Sequence, residues 1–99
     1  MYRIIDNRAT GKTSRLMLLA KENGAAIACA NPRAMQEKAY RYGITGIDFI
    51  SYIELINGDV PHQQVLIDEM ENFLEYILPV NNPLLGYTLS IEDDKNVRI

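Results

Sequence analysis

A lysine followed by a small hydroxyl residue and preceded by glycine is a phosphate-handling combination, and the chain carries one at Gly11-Lys12-Thr13. The longer stretch Asp6-Asn7-Arg8-Ala9-Thr10-Gly11-Lys12-Thr13 fits the loop pattern G-x-x-x-x-G-K-[ST] at every signature position except the first, where Asp6 replaces glycine. Such a loop turns successive backbone N–H groups toward phosphate oxygens, and the helix that follows adds the positive end of its dipole. Asn7, Arg8, Ala9, Thr10, Gly11, Lys12, Thr13 and Ser14 are therefore the candidate nucleotide-binding residues. Lys12 would neutralise the outer phosphates, and Thr13 would complete the shell of Mg²⁺.

Hydrolysis would need carboxylates as well. Val65-Leu66-Ile67-Asp68-Glu69 is an apolar strand sequence ending in two of them. In a parallel sheet the C-terminal ends of the strands line one crevice, so Asp68 is expected beside Lys12 and Thr13. Its role would be to hold Mg²⁺, and that of Glu69 to polarise the attacking water. The competing reading is a helix start whose acidic residues favour the dipole. The pairing of both motifs in one short chain favours the catalytic reading.

Both motifs require particular elements around them. Tyr2-Arg3-Ile4-Ile5 is short, apolar and partly β-branched, as a strand ahead of the loop should be. Residues 13–21 read as a helix, with Leu16, Leu19 and Ala20 at helical spacing and Asn23-Gly24 as its stop. The run Ala25-Ala26-Ile27-Ala28-Cys29-Ala30 has the continuous apolar character of an interior parallel strand. Asn31-Pro32 then caps a helix reaching about Tyr42 that buries Met35, Ala39 and Tyr42 and stops at Gly43. A third strand is expected over 47–50, and Ser51 with Glu54 has the spacing of a capping box for a short helix over 52–57. A fourth strand covers 64–68. A helix follows over 69–78, with Met70, Phe73, Leu74 and Ile77 along one side. Residues 86–91 alternate as a fifth strand would, and 96–99 are expected to pair back across a turn at 92–95.

Strands alternating with helices predict an α/β fold with right-handed crossovers and helices on both faces of a mainly parallel sheet of about five strands. The 99 residues form one expected domain, 1–99, of modest stability. Ten basic against thirteen acidic residues give a formal net charge of −3, which supplies no general field for nucleic acid. Arg33, Lys38 and Arg41 lie close together but read best as a solvated helix face. No stretch approaches the ~20 apolar residues of a membrane span, and no secretory leader is expected. The single cysteine, Cys29, reads as a small buried hydrophobe, which suits a reducing cytoplasm.

The order of segments resembles the first RecA-like domain of helicases and of the phage terminase ATPases, both P-loop nucleotide hydrolases. Residues 7–13 are similar to the terminase loop, which often carries arginine three residues before its Gly-Lys-Ser/Thr. Ile27-Ala28-Cys29-Ala30-Asn31-Pro32-Arg33 resembles the helicase segment in which a strand ends in a polar-proline turn. Ile50-Ser51-Tyr52-Ile53-Glu54-Leu55 is like the later strand that ends in Ser or Thr. Asp68-Glu69 corresponds to the acidic pair, continued by Met70-Glu71-Asn72-Phe73, and residues 85–91 occupy the place of the sensor strand. The resemblance implies a RecA-like, Walker A and Walker B sheet, with the sensor strand lying between the loop strand and the acidic strand. It also implies that Arg8 stabilises charge on the γ-phosphate, so the catalytic set would be Glu69, Lys12 and Arg8, and the metal set Thr13 and Asp68.

Two departures matter. Asp6 sets a carboxylate near bound phosphates, which opposes binding unless it points away or pairs with a base such as Arg8. The chain also offers one nucleotide-binding half, without the second RecA-like or nuclease domain of a motor. The expected function is accordingly a cytoplasmic ATP- and Mg²⁺-binding protein of phage or prophage origin, a slow ATPase working with DNA-processing partners. The alternative is a degenerate, non-hydrolysing module that binds a protein or DNA or regulates a partner, as one subunit or as a homo-oligomer. A small-molecule kinase would need a lid and an acceptor site that are not evident. His62, in a Pro-His-Gln-Gln stretch, reads as a silent surface residue. Tyr40, Tyr42 and Tyr52 are candidate base-stacking residues whose ordinary reading is packing.

Overall fold

A computed structural model describes residues 1–6, 11–60, 63–90 and 96–98. Its elements are β1 (Arg3–Ile5), α1 (Lys12–Asn23), β2 (Ala26–Cys29), α2 (Pro32–Arg41), β3 (Phe49–Ser51), α3 (Tyr52–Ile56), β4 (Val65–Ile67), α4 (Met70–Ile77) and β5 (Asn96–Arg98). The fold is α/β. A parallel three-stranded sheet in the order β3-β2-β4 forms its centre, and β5 pairs in parallel with β1.

The middle strand follows from its composition. All four residues of β2 are buried, because small apolar side chains on both faces let helices approach from each side. Ile27 and Cys29 face one core cluster, formed with Leu16, Met17 and Ala20 of α1 and Met35 and Ala39 of α2. Ala26 and Ala28 face the other, formed with Tyr52, Leu55 of α3 and Phe73 of α4. Helices α1 and α2 therefore cover one face, and α3 and α4 the opposite one. Register aligns Cys29 with Ser51 and Ala28 with Ile67, so the C-terminal ends of β2, β3 and β4 share one edge.

Local signals set most boundaries. Asn31 accepts a hydrogen bond from the Ala34 N–H at 3.1 Å and Pro32 opens α2. At α3 the capping box is complete: Glu54 N–H donates to Ser51 Oγ at 3.2 Å, and Ser51 N–H donates to Glu54 Oε1 at 3.0 Å. Hydrogen bonds donated by Ser51, first from its backbone N–H and then from its hydroxyl at 3.0 Å, hold the Glu54 carboxyl below its ordinary range. Gly24 ends α1 in the left-handed conformation, as a glycine stop should.

Four expectations need correction. Residues 86–90 form no strand, and Leu85, Tyr87 and Leu89 are exposed; among the described residues no strand pairs with them. The strand in that part of the chain is β5, and it runs parallel to β1 rather than pairing back as a hairpin. The turn at 92–95 and the terminal residues Ile91 and Ile99 lie outside the described residues. Only Phe73 and Leu74 of the expected α4 stripe are half-buried, whereas Met70 and Ile77 stay exposed, because α4 has a narrow footprint on the sheet. Tyr42 caps the end of α2 and is 50% exposed rather than buried. Smaller shifts occur at α1, which starts at Lys12, and at β3, which starts at Phe49 and leaves buried Ile47 just ahead of it.

Candidate functional site

Strand β1 leads through Asp6 toward α1, and α1 begins behind a glycine. Gly11 is the N-cap, with φ 81° and ψ 20°, a left-handed conformation that a side chain would strain. The first intrahelical bond runs from Arg15 N–H to the Gly11 carbonyl at 3.1 Å. The N–H groups of the turn before it point out of the helix end, where they and the dipole favour an anion. Ser14 Oγ donates to the same carbonyl at 3.0 Å, so its hydroxyl serves the helix end. Thr13 is half-buried in the first turn. Asn7, Arg8, Ala9 and Thr10, the centre of the expected loop, lie outside the described residues, as does His62.

Lys12 Nζ donates to the Asp6 backbone carbonyl at 3.1 Å, closing the two ends of the segment on each other. The Asp6 carboxylate lies 3.6 Å from the Arg15 guanidinium, and the two side chains are 8% and 24% exposed. Arg15, one turn into α1, is thus a base that faces Asp6. Sequence reading missed this residue; the signal was a basic residue four positions beyond Gly11, on the helix that the loop enters.

Asp68 follows β4 at the shared strand edge, and its N–H donates to the Ala28 carbonyl of β2 at 2.9 Å. Burial and then neighbouring Glu69 push its carboxyl above the ordinary range, while Lys38 of α2 and Lys12 of α1 pull it back. The two ammonium groups thus favour the charged form of Asp68 against its burial. Lys38 is a second ammonium in the same field, although the sequence suggested only a solvated face for it.

Glu69 is exposed and caps α4 with φ 58° and ψ 75°; among the described residues it is the only non-glycine with positive φ. A left-handed glutamate is strained, and such strain concentrates at sites that use it. Tyr52 holds the turn from beneath: its hydroxyl donates to the Asp68 carbonyl at 2.7 Å and lies 3.5 Å from that of Glu69. The ring packs edge-on to Phe73, with centroids 5.2 Å apart, and tilted against Tyr76 at 5.7 Å. At 4% exposed it cannot stack a base, whereas Tyr40 and Tyr42 are exposed. Burial, then Asp68, Cys29 and Glu69, push the Tyr52 phenol upward, which keeps it a donor. Asn72 lies in a shallow depression with Ala30, Ser51 and Tyr76, on the α3/α4 side of the strand ends.

Cys29 ends β2 at 1% exposure, with Sγ 3.7 Å from the Ile50 carbonyl. Burial, then Asp68, push its thiol up to about 11, against a backbone hydrogen bond at Asn31, so it remains a neutral thiol.

A magnesium site of the kind expected here takes one carboxylate and one hydroxyl from protein, with phosphate oxygens and water completing the octahedron. Half-buried Asp68 and Thr13 fit that sparse donor set. Among the described residues no group of three or more His, Cys, Asp and Glu side chains converges, so an all-protein metal cage is not built there. No described helix is long and apolar enough to cross a membrane. No family model matches the chain, and no curated protein or solved structure matches it either.

Proposed function

We propose that this chain is a P-loop-type domain that binds ATP with Mg²⁺ and hydrolyses it slowly. The observation that carries the reading is the closure at the start of α1, where Lys12 Nζ bonds back to the Asp6 carbonyl at 3.1 Å. A left-handed glycine at the helix N-cap and a carboxylate pair at the neighbouring strand end support it. In this reading β5 lies between β1 and β4, giving a five-stranded order β3-β2-β4-β5-β1. Helix α1 packs on β1, β2 and β4, which supports one continuous sheet beneath it.

The roles follow from the chemistry of the side chains. Lys12 leaves the Asp6 carbonyl for the β- and γ-phosphates, and the α1 N-terminus receives phosphate oxygens along with backbone N–H groups of residues 7–11. Thr13 and Asp68 hold the metal, which supplies charge neutralisation at the transferring phosphoryl group. Glu69 polarises the attacking water, and Arg8 is the charge stabiliser that the terminase resemblance assigns. A cytoplasmic protein of phage origin with DNA-processing partners is the setting that the same resemblance suggests.

A second reading is a non-hydrolysing module that binds a partner. It is favoured by exposed Val80, Leu85, Tyr87 and Leu89 beyond α4, a cluster in sequence of apolar side chains suited to a protein surface. Steady-state ATP turnover separates the two. Under the first reading Glu69→Gln keeps MgATP affinity within about twofold of wild type and loses turnover. Wild-type binding without turnover selects the second reading, and turnover unchanged in Glu69→Gln removes Glu69 as the base.

A further inference from the structure

The carboxylate pair is attached to a turn that the chain does not hold by its own helix or strand bonds alone. Asp68 is anchored on one side by its N–H, which bonds to the Ala28 carbonyl at 2.9 Å. Its carbonyl is anchored on the other side by the Tyr52 hydroxyl at 2.7 Å, sixteen residues away in sequence. Glu69 then takes the strained left-handed conformation, and its carbonyl accepts the Phe73 N–H at 3.1 Å as the first bond of α4.

Tyr52 is itself immobilised. It is the first residue of α3, directly after a complete capping box on Ser51, and its ring is enclosed by Phe73 and Tyr76. A rigid donor therefore reaches from the β3–α3 junction to the backbone between the two carboxylates. A phenylalanine at this position would supply the same ring packing, so packing alone does not account for the hydroxyl. A short bond to a backbone carbonyl fixes the direction of the next peptide, and the next residue is the strained one.

We propose that Tyr52 is a positioning residue for the Asp68-Glu69 pair, its hydroxyl holding the turn in the left-handed geometry from which Glu69 acts. The proposal rests on the ATPase reading for its functional consequence. The hold on the turn is independent of that reading and is measured without nucleotide. Tyr52 makes no contact with substrate in this scheme; its effect passes through the backbone.

The test compares Tyr52→Phe, which keeps the ring, with Phe73→Leu, which keeps the hydroxyl but loses the edge-on ring. Amide hydrogen exchange of the nucleotide-free protein reports the turn through the Phe73 N–H, with Ile27 and Ala28 as core references. Tyr52→Phe is expected to lower protection of the Phe73 N–H about tenfold while the core references stay as in wild type. With MgATP it is expected to leave affinity within about twofold and to lower kcat about tenfold, since misplacement of a reacting group costs rate more than binding. Phe73→Leu should retain kcat within about twofold. Unchanged Phe73 exchange in Tyr52→Phe overturns the proposal, as does unchanged kcat in a wild type that turns over. Equal loss of kcat in both variants overturns it too, because the role would then be packing. Absence of ATP binding by the wild type sinks the ATPase reading, and the exchange result alone then decides whether Tyr52 holds the turn.

Discussion

The Asp6 carboxylate faces Arg15 of α1 at 3.6 Å, and the backbone carbonyl of the same Asp6 receives the Lys12 ammonium at 3.1 Å. One residue thus occupies two cations by two different groups. The carboxylate that stands where the loop pattern has glycine is matched by a guanidinium, which weakens the electrostatic objection to phosphate binding at this segment. The arrangement also explains how an acidic residue is tolerated there: its charge is matched within the first turn of the helix that the loop enters.

Arg15→Ala should therefore expose the conflict. Removing Arg15 takes one cation from beside an 8%-exposed carboxylate, and we expect a stability loss of about 1–3 kcal/mol by chemical denaturation. MgATP affinity should fall with it, although Arg15 has no assigned contact with phosphate. Asp6→Asn in the Arg15→Ala background should recover most of both losses, as a coupled pair does in a double-mutant cycle. Additive effects of the two substitutions would show that the pair does not interact.

Asp68 makes a pH prediction. Its carboxyl is raised above the ordinary value of 3.8, chiefly by burial and then by Glu69. Between the unfolded and folded values the native state binds more protons than the unfolded state, so stability falls as pH rises through that window. Above the folded value the deficit is constant. Asp68→Asn should consequently be more stable than wild type at neutral pH, with the difference vanishing below about pH 4. The same variant should lose the Mg²⁺ dependence of ATP binding. Thermal melts across pH, with and without MgATP, check both statements. Lower stability of Asp68→Asn at neutral pH would contradict the first.

Cys29 should be inert in the folded protein. The thiol is 1% exposed and held as a neutral group, with its ionisation pushed up to about 11. A thiol reagent at neutral pH is expected to label it only after denaturant unfolds the chain. Stoichiometric labelling of the native protein would show that the β2 edge opens readily.

Much of this was legible in local chemistry. Ser51 with Glu54, and Asn31 followed by Pro32, announce helix starts because each cap is made within a few residues of the chain. Ala26–Cys29 announces a strand buried on both faces because its run is apolar without alternation. The position of Asp68 at the C-terminal edge of the parallel strands follows from the rule that such strands bring these ends together. Features that depend on a distant partner were not legible. Residues 86–90 alternate like a strand yet pair with no strand among the described residues, while Asn96–Arg98, with little apolar character, pairs with β1. Met70 and Ile77 continue the helical stripe of Phe73 and Leu74, but the surface beneath α4 ends before it reaches them. The Tyr52 hydroxyl was missed because a contact across elements leaves no spacing to read, and Arg15 because its spacing from Gly11 does not by itself point to Asp6.

Titration with ATP, in the presence and absence of Mg²⁺, of the wild type and Lys12→Ala tests the central claim most directly. The account predicts saturable, Mg²⁺-dependent binding by the wild type. Lys12→Ala should bind at least about tenfold more weakly, the loss expected for one charge-assisted contact to phosphate. No binding by the wild type, or equal affinity in Lys12→Ala, would contradict it.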